Sequence, residues 1–276
     1  PILETVKKTD KVNNLQSFDA LGGRTKHHYK NWSAITKDKY ILDTISGHKV
    51  EFTSEPIQKF VPGQLRLNET ESEALTDIIK VLEKQKVIMK CEHEDGEFIN
   101  NVFLREKSSS TAQLRKYRMI LNVKNLNTFV EKIHFKMETL ESCLRVMRKD
   151  CFMASLDLSD AYFTIPLHSS VRKYFKFKIG NDLFCFLALP QGFRDSPRVF
   201  TKIFKPVLAH LRQQGIIVNI YIDDVYIQVQ TYGECQKNVG SVANLISSLG
   251  FSLSEKSVMI PDKKLNHLGF YLTLYL

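Results

Sequence analysis

No long hydrophobic run occurs in the 276 residues. Stretches such as FCFLALP (184–190) are far too short to cross a bilayer, and the opening PILETVKKTD lacks the apolar core of a secretory signal. These absences argue against a membrane partner and a leader, and an intracellular protein, cytoplasmic or nuclear, is expected. Cysteine is sparse: Cys91, Cys143, Cys151, Cys185 and Cys235 are odd in number, scattered and without a Cys-x-x-Cys pair. That pattern argues against a disulfide framework or a zinc cluster and suits a reducing compartment. The eight histidines show no metal spacing, and the only close pair, His27-His28, falls in a basic loop. Internal repeats and low-complexity tracts are also missing. Because the first residue is Pro1 rather than methionine, a fragment or excised domain is expected.

What is present describes a folded chain with a polyanionic partner. Hydrophobic residues make up 43% and charged residues 25%, enough for about two lobes around a real core. Lysine and arginine outnumber the acids 39 to 30, for a net charge of +9, which favours nucleic acid or an acidic membrane surface.

Residues 1–67 mix basic clusters (VKKTDK, GGRTKHHYKNW) with short apolar segments and turn formers, and are expected as an extension wrapped on a larger body. From Asn68 the pattern becomes helical: Leu75, Ile78, Ile79 and Leu82 recur at helical intervals behind the cap-competent Asn68 and Thr70. Strands are predicted at FINNVFLREK and RKYRMILNVKNLN, separated by the Ser-rich SSSTAQL. Helical spacing returns through Met137, Leu140, Leu144 and Met147. A strand at CFMASLDLSD, a helix ended by Gly215, a hairpin at IIVNIYIDDVYIQVQ and a helix stopped by Gly250 complete the pattern. Strands and helices interleave without regular βαβ alternation, so the expected class is α+β, a sheet with helices on one face.

Two adjacent acids, Asp223 and Asp224, sit at the turn of that hairpin. Aspartate is a good turn residue, so the pair alone decides nothing. A third acid, Asp157, ends a strand whose neighbours Phe152, Ala154, Leu156 and Leu158 are apolar. Carboxylates clustered at strand ends repel one another and lose hydration unless a cation neutralises them. Hard oxygen ligands suit Mg²⁺, and two such ions serve an in-line phosphoryl displacement.

LDLSDAYFTIPL, LPQGFRDSP, YIDD and LNHLGFYL stand in the order and approximate spacing of reverse transcriptase motifs, and RKYRMILNVKNLN resembles the family's fingers motif. The segment LGGRTKHHYKNWSAITKDKYILDTISGHKVEF resembles the one that precedes the polymerase in DIRS-type retrotransposons. The resemblance implies a right-hand polymerase fold. In it, residues 1–67 are an N-terminal extension, the fingers span about 68–131 and 165–195, and the palm spans about 132–164 and 196–276. The implied palm is an antiparallel sheet backed by helices.

By this resemblance Asp157, Asp223 and Asp224 are the catalytic metal ligands, with the Leu158 carbonyl as an added contact, for two Mg²⁺ ions or Mn²⁺. Asp160 aligns with the second acid of its motif, or else caps a helix. Arg118 falls where the family places an arginine on the incoming nucleotide's phosphates; Lys107, Arg115 and Lys116 around it would add steering. Ala161 and Tyr162 lie at the sugar, Tyr162 as the gate against a 2′-hydroxyl, although such a tyrosine also reads as a core or rim aromatic. Gln191 and Gly192 resemble the nucleotide-pocket loop, where a plain turn is the alternative. Lys256 matches the lysine near the phosphates, or a solvated surface turn. Leu268, Gly269 and Phe270 match the primer grip, or a core strand. The implied partners are an RNA or DNA template with primer and deoxynucleoside triphosphates. Because the sequence stops at Leu276, the thumb and an RNase H region are expected in a longer parent polyprotein. Two rival readings are a catalytically inactive retroelement remnant that binds nucleic acid and a palm polymerase that makes RNA.

Overall fold

Alternation and capping along the chain build two five-stranded sheets, a two-stranded hairpin and seven α-helices among the described residues, 20–63, 66–106, 117–268 and 270–273 of the computed structural model. VKKTDK, SSSTAQL, Lys107, Arg115, Lys116 and Gly269 lie outside the described residues. A 3-10 turn leads into α1 (Tyr29–Ile35) and α2 (Lys39–Gly47). α3 (Glu69–Lys84) starts where the sequence predicts: Asn68 accepts from the Glu71 amide while the Glu71 carboxylate accepts from the Asn68 amide. Next come β1 (Ile88–Lys90), β2 (Ile99–Glu106) and β3 (Tyr117–Asn122).

The following helix, α4 (Leu140–Val146), is shorter than its periodicity predicts. Thr139 and Ser142 cap its start reciprocally and Met147 is already extended, so Met137 lies outside it. β4 (Phe152–Ser159), α5 (Ser169–Arg172), β5 (Lys176–Ile179) and β6 (Asp182–Phe186) lead to the long α6 (Ser196–Gln213). β7 (Ile217–Tyr221) and β8 (Asp224–Val229) form the predicted hairpin, followed by α7 (Tyr232–Ser248). Gly215 and Gly250 follow α6 and α7 at φ +80° and +96°, a conformation that ends a helix cheaply only at glycine. β9 (Ser252–Leu253), β10 (Val258–Asp262), β11 (Lys264–His267) and β12 (Phe270–Thr273) complete the chain.

One sheet is mixed, in the order β1-β6-β5-β2-β3, with β2 parallel to β5. The other is antiparallel, β10-β4-β8-β7, with β9 pairing to β4 beyond the end of β10. Strand alternation sends Ala154, Leu156, Val218, Ile220, Val225 and Ile227 into the main core with Val199, Phe200 and Phe204 of α6 and Val242 and Ile246 of α7. Met153 and Tyr226 point the other way and form a smaller cluster with Cys143 of α4, Cys151, and Leu265 and Leu272 of the β11–β12 hairpin. Helices on one face were expected; α4 and a hairpin also cover part of the second, because its apolar side chains need burial too.

Residues 20–48 enter the same core. Trp32 is fully buried with Leu21, Ile41 and Ile45, and its indole N–H donates to the Leu249 carbonyl at 3.0 Å. Gly22 lies so close to the end of α3 that a Cβ would stand 1.9 Å from the Lys86 carbonyl oxygen, so only glycine fits there. Among the described residues no helix is long and apolar enough to cross a membrane.

Candidate active site

In the β4–β8 ladder Asp157 faces Asp224, Ser155 faces Tyr226 and Met153 faces Gln228. The period of two therefore puts both carboxylates on the face turned away from α6 and α7. Asp223 adjoins them from the two-residue turn that joins β7 to β8, where Tyr221 pairs with Asp224. Ile222, the first turn residue, has φ +54°, a conformation such hairpins ordinarily give to glycine. A branched side chain there costs about 1–3 kcal/mol, and Ile222 stays because it packs against the main core. The Asp223 carbonyl accepts the Leu158 amide at 2.8 Å, which ties turn and strand together.

The charges in this cluster are poorly hydrated and mutually repulsive. Burial, then Asp223 and Asp157, pushes the Asp224 carboxyl up to about 6, against the pull of Lys256. Asp223 is raised by burial first and also by Asp157, while its own backbone amide, Arg118 and Lys256 draw it down. By donor chemistry three aspartates suit a hard divalent cation. Among the described residues, however, no three His, Cys, Asp or Glu side chains are gathered into a ready ion cage, as like charges held only by backbone pairing would be expected to stand apart.

Of the other predicted residues, Arg118, Tyr162 and Lys256 lie within electrostatic reach of this cluster. Lys256 occupies the exposed turn between β9 and β10, within electrostatic reach of both Asp223 and Asp224. Tyr162 is half-buried, edge-on to Phe200 at 5.6 Å, and its hydroxyl is raised by burial and then by Asp223 and Tyr221. Ala161 is buried beside it. Asp160 sits at φ +48° and its side chain makes no capping bond, which removes the helix-cap alternative. In the β11–β12 hairpin Leu268 takes the turn at φ +52° and Phe270 is exposed; Leu265 and Leu272 are the core members.

Gln191 is half-buried in the turn before α6. Gly192 lies against β3: at φ +102° its Cβ would stand 2.3 Å from the Leu121 carbonyl oxygen, so only glycine fits there. Asn127 completes the lock, donating to the Gly192 carbonyl at 3.2 Å and accepting from the Arg194 amide at 3.0 Å. The loop is thus fixed to the strand that carries Arg118. Arg118 is exposed on β3 and directly faces Arg105 on β2. Like charges in facing positions are unfavourable unless an anion lies across them. Sequence reasoning missed Arg105, whose only signal is the strand register.

Residues 105–272 match the family described as reverse transcriptase (RNA-dependent DNA polymerase), and the chain belongs to that family of nucleotidyltransferases. It is 27% identical over 165 residues to the Gag-Pol polyprotein of gibbon ape leukemia virus, covering 56% of this chain and 10% of the polyprotein. Against the Gag-Pol polyprotein of avian reticuloendotheliosis virus the figures are 28% over 180 residues, 62% and 15%. The chain therefore spans a small part of these relatives. Among solved structures, the foamy viral protease-reverse transcriptase in complex with dsDNA superposes at TM-score 0.68 and 21% identity, over 81% of this chain and 44% of that one. The same viral protein in complex with an RNA/DNA hybrid gives 0.67 and 20%, over 82% and 29%. These likenesses establish a shared polymerase fold.

Proposed function

We propose that this chain is the polymerase domain of a retrotransposon reverse transcriptase, of DIRS type by its 21–52 segment. It adds deoxynucleotides to a primer on an RNA or DNA template. The observation that carries this reading is the facing pair Asp157 and Asp224 with Asp223 in the adjoining turn, three acids from two distant segments at one end of the central strands. The fingers are assigned to about 68–131 and 165–195, the palm to about 132–164 and 196–276, and residues 1–67 to an N-terminal extension. A longer parent polyprotein, with thumb and RNase H regions, is supported by the small share of the viral polyproteins that the chain spans. The free cysteines fit an intracellular site of action.

Each residue has a task in the chemistry. Asp157, Asp223 and Asp224, with the Leu158 carbonyl, would hold two Mg²⁺ or Mn²⁺ ions, which when bound would supply charge neutralisation and activation of the attacking hydroxyl. Arg118, joined by Arg105, takes the triphosphate oxygens, for which a planar, permanently charged guanidinium is suited. Lys256 adds a positive charge near the phosphates. Tyr162, with Ala161 and Asp160, lines the sugar position, where the half-buried ring would exclude a 2′-hydroxyl. Gln191 and Gly192, held against the strand that carries Arg118, serve the nucleotide pocket, and Leu268, Gly269 and Phe270 contact the primer end.

Primer extension with deoxynucleotides and ribonucleotides on RNA and DNA templates tests the reading. Deoxynucleotide addition that needs Mg²⁺ or Mn²⁺ and is abolished in Asp223→Asn is expected. Equal use of ribonucleotides, or full activity in that variant, would overturn it.

A further inference from the structure

The edge of the catalytic strand is closed by an unusual piece of backbone. β4 pairs with β9 at Leu158↔Leu253 and with β10 at Ser155↔Val258. Between those points two residues of β4, Leu156 and Asp157, face four residues, 254–257, so the partner chain must bulge. The bulge is fastened at Asp157. The Asp157 carbonyl accepts the Ser254 amide at 2.7 Å, and the Asp157 amide donates to Ser257 Oγ at 3.0 Å. Within the bulge, the Ser257 amide donates to the Ser254 carbonyl and the Lys256 amide to Ser254 Oγ, both at 3.1 Å. The two residues left at its tip are Glu255 and Lys256, both exposed.

We propose that Ser257 is a positioning residue for the polymerase reaction: by closing the 254–257 bulge onto the Asp157 backbone, it holds Lys256 beside the aspartate cluster and ready for the incoming nucleotide's phosphates. The inference rests on the proposed polymerase function and adds a residue to it. A regular β strand at this edge would pair Asp157 with a backbone group and leave no projecting tip. The serine hydroxyl replaces that missing backbone partner, so the bulge can form without leaving the Asp157 amide unsatisfied. Lys256 is flexible and exposed, and its reach toward Asp223 and Asp224 depends on where the tip is fixed. Ser257 itself touches no reacting atom; it acts through the backbone of one site residue and the placement of another.

Single-nucleotide incorporation by Ser257→Ala, Ser257→Thr, Lys256→Ala and the double variant Ser257→Ala/Lys256→Ala tests the route through Lys256. Ser257→Ala is expected to lower the maximal incorporation rate about tenfold. Ser257→Thr, which keeps the hydroxyl, should restore the rate, and the alanine substitution should have no further effect once Lys256 is gone. An undiminished rate in Ser257→Ala, or an equal loss in the Lys256→Ala background, would overturn the proposal. Amide hydrogen exchange on the same full chain needs no activity: exchange at Asp157 and Lys256 should accelerate in Ser257→Ala and stay native in Ser257→Thr. Unchanged exchange in Ser257→Ala also overturns it. A wild-type chain that extends no primer would refute the polymerase reading, while the exchange measurement would still decide the clamp.

Discussion

The two faces of the antiparallel sheet share the same strands and do opposite work. On one, Ala154, Leu156, Val225 and Ile227 meet α6 and α7 in a dry core; on the other, one residue along, stand Asp157, Ser155, Asp224 and Tyr226. The first face gains stability from burial, whereas the second holds half-buried acids that repel each other. A strand with period two can carry both because neighbouring side chains never share a surroundings. Substitutions on the two faces should therefore separate into different observables.

The largest separation is expected at Asp224. Asp224→Asn keeps the size and removes the charge, so primer extension should fall on the order of 10²–10³-fold, as when a fixed electrostatic group is lost. Its thermal midpoint should hold or rise, because the repulsion with Asp223 and Asp157 is relieved. Steady-state kinetics and a melting curve on one preparation check both halves. Across the sheet, Ile227→Ala should do the reverse: a loss of about 2–5 kcal/mol in urea unfolding, with the rate per folded molecule unchanged.

Arg118 extends the comparison to the mixed sheet. Losing one charge-assisted phosphate contact, on the order of 1.5–3 kcal/mol, should lower catalytic efficiency tenfold or more in Arg118→Ala. Arg118→Lys should recover only part of that, because an ammonium cannot reproduce the planar fork. Full efficiency in the alanine variant would remove Arg118 from the pocket. Stability should barely change, since the side chain is exposed and faces the like-charged Arg105.

The smallest effect is in pH. His48 is buried with an unpartnered Nε2, and burial holds its imidazole down to about 4. The unfolded chain therefore takes up the proton first: stability that is complete above about pH 6.5 declines as the pH falls toward 4, by about 1 kcal/mol at pH 6. Asp224, raised to about 6, works with the opposite sign, because the folded chain binds its proton first and gains stability as the pH drops through 6. As the pH falls from 8 to 5, unfolding free energies should show His48→Leu losing less stability than the wild type and Asp224→Asn losing more.

How much of this was readable along the chain varies by element. The α3 start was visible in Asn68, though its reciprocal partner Glu71 was not, and the stops of α6 and α7 in Gly215 and Gly250, because capping is local chemistry. α4 was overread: apolar spacing through Met137 suggested a longer helix, and the Thr139–Ser142 cap overruled it. Arg105 gave no local signal at all, since its meaning comes from the strand opposite. The approach of Gly192 to the Leu121 carbonyl gave no local signal either, because it joins a loop to a strand far away in sequence. Ile222 carries no turn signature, and its positive φ is tolerated only where the core holds its side chain.

By itself, the sequence determined the alternation of β4, β7 and β8, the hairpin joining β7 to β8, though with its turn read one residue late at Asp223-Asp224, and an ordered set of motifs sufficient to identify the family. These depend on neighbours a few residues apart, where side-chain period and backbone preference act directly. The tertiary structure alone decided that Asp157 faces Asp224, that Arg105 faces Arg118, and that Ser257 closes a bulge onto β4. Each of these joins segments whose registers are set by how complete faces pack, and a slip of one residue would turn every side chain to the other side.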